Sequence, residues 1–177
     1  MKKALVAVCA HADDAEINAG GTMARWVAEG GAVHIILMTN NCSGLFVPEN
    51  RDEAGCFRLL PHEAAAVRRR EQDAAAKLIG AKVHYHDYWQ RHYWNGSAVV
   101  DAGYEADPAY PYGLKRAPCI LIACQDKTCI RGLADLLSSL RPALVLSQTP
   151  FDVDPEHHAV AATTWQAFAM APALKGV

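Results

Sequence analysis

The stretch from Ala4 to Ala10 (Ala-Leu-Val-Ala-Val-Cys-Ala) carries no polar side chain, and it runs straight into His11, Asp13, Asp14 and Glu16. A run that is apolar at every position reads as a strand covered on both faces. Such strands belong to parallel sheets with helices packed on either side. Ala15 to Glu29 then reads as a helix, with Gly30-Gly31 as its stop. The same alternation recurs along the chain. Val33 to Thr39 is a second buried strand, Glu63 to Ile79 a helix stopped by Gly80, and Lys82 to Tyr88 a third strand. Cys129 to Ser139 reads as a helix, Ala143 to Ser147 as a fourth buried strand and Ala159 to Met170 as a last helix. This order predicts an α/β fold: an open, mostly parallel sheet with helices on both faces, in one domain over residues 1–177.

Composition agrees with a packed domain. Apolar residues make up 51% of the chain and charged residues 20%, which is not the balance of a disordered segment. A formal net charge of −2 gives no basic footprint, so a nucleic-acid partner is not expected. No apolar run approaches membrane-spanning length, so no membrane partner is expected either. The opening MKKALVAVCA resembles the first half of a signal peptide, but the acidic residues that follow at once favour a strand. Six cysteines are scattered without a C-x-x-C pair, the pattern of reduced thiols in a cytoplasmic protein, and Cys9 reads as a small core residue.

Two segments lack regular patterning. Asn40 to Pro61 is rich in turn residues, and loops of that length in a compact domain are usually functional. Gln90 to Pro118 mixes Tyr93, Trp94, Tyr104, Tyr110 and Tyr112 with Gly, Pro and Asn. A lid, a substrate wall and an oligomer contact all remain open for it.

The chemistry concentrates at strand ends. Polar, metal-competent groups at the mouth of a buried strand are costly unless something uses them. His11 and Asp14, three apart across a strand-to-helix turn, can face one point above the sheet. An imidazole and a carboxylate suit Zn²⁺, which needs a third protein ligand and an open position for catalysis. Asp13, between them, should point toward that open position, where a general base would stand. The third ligand is expected beyond the fourth strand, in the acidic, His-containing loop from Gln148 to His158. That loop offers both His157 and His158. The plainer alternatives are helix capping by Asp13 or Asp14 and a solvated loop histidine. His84 and His86 share a strand face, where pairing with an aromatic ring or backbone is expected rather than a metal. His34 and His62 read as structural or exposed. Gly20-Gly21 is no phosphate loop, because neither G-x-G-x-x-G nor G-K-[ST] is present.

These residues resemble the LmbE/PIG-L family of metal-dependent de-N-acetylases. Ala10 to Ile17 resembles its A-H-P-D-D-x-E signature, and Gly20-Gly21-Thr22 its G-G-T. Arg68 to Glu71 with Ala74 to Gly80 resembles its R-x-x-E…A-A-x-x-L-G helix, and Asp152 to Val160 its D-x-H-x-D-H-x-A-V segment. The resemblance implies a Rossmann-like, three-layer α/β/α fold. It implies Zn²⁺ or Fe²⁺ held by His11, Asp14 and His157, with Asp13 as base and Arg68 holding substrate, although Arg68-Arg69-Arg70 also reads as a solvated helix face. It further implies removal of an acetyl group from an N-acetylglucosamine-like sugar or conjugate, and a homo-oligomer. Several positions depart from the family. Ala12 stands for the usual proline, which should loosen the turn without removing chemistry. Asp154 stands for the histidine that polarises the carbonyl, Glu156 for aspartate, and Gln90 for a common aspartate. A carboxylate beside a developing oxyanion is unhelpful unless protonated, and His158 is the candidate to take over that role. The C-terminus at Val177 comes earlier than in typical members, so a closing C-terminal segment is expected to be missing, shortened or supplied by a partner. These departures leave two further readings: a metal- or sugar-binding protein with little hydrolase activity, and a deacylase for a different acylated amine.

Overall fold

A computed structural model describes residues 3–43, 59–102 and 117–171. The first strand, β1 (Ala4–Cys9), leads into α1 (Asp14–Ala28), which is followed by β2 (Ala32–Thr39) and α2 (Pro61–Ile79). Next come β3 (Lys82–Tyr88), β4 (His92–Trp94), β5 (Val99–Asp101) and the short α3 (Ile120–Ala123). The chain ends with α4 (Lys127–Leu140), β6 (Pro142–Ser147) and α5 (Pro155–Met170). Most of the 40–61 loop and the aromatic positions Tyr104, Tyr110 and Tyr112 lie outside the described residues.

The main sheet has the order β3-β2-β1-β6 with every pairing parallel. Alternation along β1 sorts its side chains between two cores. Leu5, Ala7 and Cys9 join Ile35 and Leu37 under Ala15 and Met23 of α1 and Ala76 of α2. Val6, Val8 and Ala10 join Ile36 and Met38 under Leu133 and Leu137 of α4 and Val160 and Ala167 of α5. Each fully buried aliphatic side chain contributes about 1.5–3 kcal/mol. These two cores produce the expected α/β/α layering.

Helix ends follow local chemistry. Asp126 caps α4 by accepting from the Thr128 and Cys129 N–H groups. Glu63 reaches back to the Leu60 N–H at 2.9 Å, and Pro61 sits in the first turn of α2. Gly80, at φ 83°, closes α2 in the left-handed region.

Three expectations need correction. The fourth strand is not buried: β6 is the sheet edge, with Leu144 36% exposed and an open apolar groove between it and Trp165 and Phe168 of α5. Its apolar sequence reflects strand propensity without burial on both faces. The last helix begins earlier than the apolar pattern suggests, because Asp154 caps it and Pro155 opens its first turn. His157 therefore sits on a helix, not on a loop. The start of the aromatic segment is ordered as a small antiparallel hairpin, β4 with β5.

Candidate metal centre and cleft

Polar residues gather where the four parallel strands end. His11 follows β1, Asn40 and Asn41 follow β2, Gln90 follows β3, and Gln148 follows β6. The carboxyl ends of such strands are the usual place for a ligand.

The β1–α1 turn is tight. Asp13 adopts φ 89°, an uncommon conformation for a residue with a side chain. The turn is pinned from several sides. Ala12 N–H donates to Asn41 Oδ1 at 2.8 Å and Asp13 N–H to Gln72 Oε1 at 3.3 Å. Asp14 is fixed by one oxygen only. Its Oδ2 accepts from the His11 N–H at 2.8 Å and from Gln148 Nε2 at 2.5 Å, while Gln148 Oε1 also holds the Ala10 N–H at 3.1 Å. Asp14 Oδ1 is left facing His157 Nε2 at 3.5 Å.

Each imidazole is anchored by a carboxylate on its far nitrogen. Glu156 Oε2 lies 2.5 Å from His11 Nε2, and Asp152 Oδ2 lies 2.8 Å from His157 Nδ1. These partners place the protons on His11 Nε2 and His157 Nδ1. Two lone pairs, His11 Nδ1 and His157 Nε2, then face each other across 3.2 Å. Such an approach is unfavourable unless a cation or a proton lies between them. Burial pulls the His11 pKa down, but the hydrogen bond and charge of Glu156, with Asp14 and Asp154 adding, raise it above its ordinary value. The hydrogen bond from His157 holds Asp152 at about 2. Burial opposes ionisation of Glu156, yet contact with His11, the Arg91 N–H and Gln90 leaves its pKa lowered.

The donor set fits a transition ion. Ligands about 2.0–2.2 Å from a tetrahedral ion lie roughly 3.3–3.6 Å apart. The separations are 3.2 Å between the imidazoles and 3.5 Å from His157 Nε2 to Asp14 Oδ1, whereas the Asp14 contact with His11 Nδ1, 3.8 Å, is made by the already bonded Oδ2. Among the described residues, the group with one donor atom each within 4.8 Å of one another is His11, Asp154 and His157, with Asp14 beside it.

A cleft of about 310 Å³ opens beside these groups, lined among others by His11, Asp13, Arg68, Gln90, Arg91 and Asp154. Asp13 is half exposed there, and its Oδ2 accepts from Arg68 Nη2 at 2.7 Å. Arg68 also donates to the Ala12 carbonyl at 2.5 Å and to Glu71 at 2.7 Å. Burial lowers the Arg68 pKa, and Asp13 and Glu71 more than reverse this.

The structure thus brings His11, Asp14 and His157 together, with Asp13 and Arg68 alongside. It does not bring His158. That side chain is exposed on the outer side of α5 and bonds the Asp152 carbonyl. One helix position advances a side chain by about 100°, so His157 and His158 point in different directions, and His158 does not line the cleft. Asp154 caps α5 through the Glu156 N–H. Glu156 uses its extra methylene to reach His11, the Arg91 N–H at 2.6 Å and Gln90 Nε2 at 3.3 Å. Gln90 also accepts from the Ser43 N–H. Sequence reasoning missed Gln148, Gln72 and Asn41 as supports, and Asp152 as the anchor of His157. The available signal was a polar residue just after an apolar strand for Asn41 and Gln148, whereas Gln72 lies mid-helix in α2 and carries no such signal.

The fold and site together define an LmbE-like α/β/α protein with a metal-competent centre at the carboxyl ends of its strands. The profile of the PIG-L family, described as GlcNAc-PI de-N-acetylase, matches residues 6–168, and the chain belongs to that family. Solved structures are similar. The 4-carboxy-2-hydroxymuconate hydratase of Pseudomonas putida has a TM-score of 0.67 at 22% identity, over 96% of this chain and 57% of that one. The N,N'-diacetylchitobiose deacetylase of Pyrococcus horikoshii has a TM-score of 0.65 at 23% identity, over 95% and 50%. The A40926 pseudoaglycone deacetylase has a TM-score of 0.63 at 20% identity, over 96% and 60%. At these identities the likeness shows the fold, and the chain spans about half the length of the first two. No curated protein matches. Among the described residues, no helix is long and apolar enough to cross a membrane.

Proposed function

We propose that this protein is a metal-dependent amidohydrolase that removes an acetyl group from an N-acetylglucosamine-like sugar or conjugate. The observation that carries this is the convergence of two carboxylate-anchored imidazoles and Asp14 on one point, with Asp13 at the cleft beside it. His11, Asp14 and His157 would hold Zn²⁺, or Fe²⁺. The ion supplies Lewis acidity toward water and the amide oxygen. Asp13 Oδ1, the oxygen that Arg68 does not occupy, takes the proton of the attacking water and returns it to the leaving amine. Arg68 holds Asp13 at the cleft through their ion pair, and its charge orients a polar substrate. Glu156 and Asp152 fix the ring orientations and tautomers of the two imidazoles. We further propose that residues 1–177 form one domain of a homo-oligomeric, cytoplasmic protein.

The test is amine release from N-acetylglucosamine and larger N-acetylated conjugates, together with metal content. Release that Asp13→Asn eliminates while metal stays bound is the expected result. Metal without release from any of these substrates would overturn it. That outcome would favour a second reading, a binding protein or a deacylase for another acylated amine. This reading is supported by Asp154, an acceptor-only carboxylate where a donor to the oxyanion is needed.

A further inference from the structure

We propose that Asp154 is itself a protein ligand of the metal, so that this chain holds its ion with two imidazoles and two carboxylates. This deepens, and rests on, the metal-site reading of His11, Asp14 and His157.

Asp154 and His157 occupy the cap and third positions of α5, which share one side of the helix start. A donor atom from each lies within 4.8 Å of one on His11. The Asp154 carboxylate divides its tasks. Oδ1 accepts from the Glu156 N–H at 2.8 Å, which fixes the carboxylate plane. Among the described residues, no hydrogen bond occupies Oδ2. The backbone is held as well, because the Asp154 N–H donates to Asp152 Oδ1 at 3.1 Å, while Oδ2 of the same Asp152 anchors His157. One aspartate therefore sets the positions of both residues. Asp154 lines the cleft with His11, whereas Asp14 and His157 line a second pocket.

The chemistry of the substitution follows. Carboxylate oxygens favour ions that accept five or six ligands, whereas zinc with four protein ligands has the closed set of a structural site. Two carboxylates also cancel the charge of a divalent ion, which lowers its pull on a substrate oxygen. Asp154 therefore tunes this site toward an ion such as Fe²⁺, Co²⁺ or Mn²⁺ that keeps a free position after four protein ligands.

Co²⁺ is the probe, because its visible bands report both occupancy and ligand field. The intact chain, Asp154→Ser and His11→Ala are titrated with Co²⁺ and followed by absorption. Serine caps a helix nearly as well as aspartate, so α5 keeps its start while the carboxylate is lost. Expected is a drop of tenfold or more in Co²⁺ affinity for Asp154→Ser with altered bands, and near-complete loss for His11→Ala. Unchanged affinity and bands in Asp154→Ser, with His11→Ala still defective, would leave Asp154 a helix cap only and overturn the proposal alone. Absence of Co²⁺ binding in the intact chain, or binding indifferent to His11→Ala, would overturn the metal-site reading and this proposal together.

Discussion

The molecule contains two histidine pairs with nearly the same geometry and opposite surroundings. His11 and His157 have ring centroids 5.1 Å apart and a closest N···N distance of 3.2 Å. His34 and His84, on adjacent strands β2 and β3, have centroids 5.2 Å apart and a closest N···N distance of 3.0 Å. The first pair lies at the carboxyl ends of the strands among Asp14, Asp152, Asp154 and Glu156. The second lies toward the other end, with Lys82 as its charged neighbour. Carboxylates on the far nitrogens of the first pair turn two lone pairs toward each other, which invites a cation. Among the described residues no carboxylate bonds either ring of the second pair, so one ring donates N–H to the other. Burial, and then Lys82, lower the His34 pKa; burial, His34 and Lys82 lower that of His84. His11 moves the other way. The lesson is that ring spacing does not make a metal site; the anions that orient the rings do.

The largest expected effects break the first pair. His11→Ala should lose the bound metal, while His34→Ala should keep it, as read by metal analysis of the purified proteins. Equal retention in both would remove the distinction. Asp13→Asn should lower amine release by roughly 10²–10⁴-fold, the typical weight of a positioned general base, with metal content unchanged.

Next in size are the anchors. Asp152→Asn and Glu156→Gln should each weaken metal binding by about 10–100-fold, because each leaves an imidazole free to change tautomer. A chelator competition assay reads this directly, and no change in either would separate tautomer control from metal capture. Gln72→Leu leaves the Asp13 N–H and Glu16 Oε1 without their partner. It should cost about 1–3 kcal/mol in urea unfolding.

The smallest effect belongs to the second pair. Its folded-state pKa values lie below the ordinary 6.5, so the unfolded chain binds protons first as pH falls. The pair's contribution to stability is therefore full above pH 6.5 and declines as the pH drops through 6.5 toward the folded values. His34→Gln with His84→Gln should flatten the acid side of the stability curve by less than about 1 kcal/mol, since both rings are partly exposed. Imidazole NMR titration should place His34 and His84 below 6.5 and His11 above it. The same order for all three would erase the contrast.

The sequence by itself determined the layering. The fully apolar β1, the largely apolar β2, helices with glycine stops and the recurring strand–helix order leave a parallel sheet covered on both faces as the consistent arrangement. Of the proposed site, His11, Asp13 and Asp14 stand out in the sequence because polar groups directly after a buried strand contrast with an apolar background, whereas His157 is singled out by resemblance to the family's segment. Tertiary structure alone decided which groups support them. Gln72 lies 59 positions from Asp13 and Gln148 lies 138 from Ala10, and nothing local marks either as a partner. Tertiary structure also decided that His158 turns away while Asp154 turns in, since one helical step rotates a side chain to another face. It likewise showed β6 to be an edge strand despite its apolar sequence. Hydrophobic pattern records what a segment can bury; which neighbours are present to bury it, and which carboxylate meets which imidazole, depends on contacts between residues far apart in the chain.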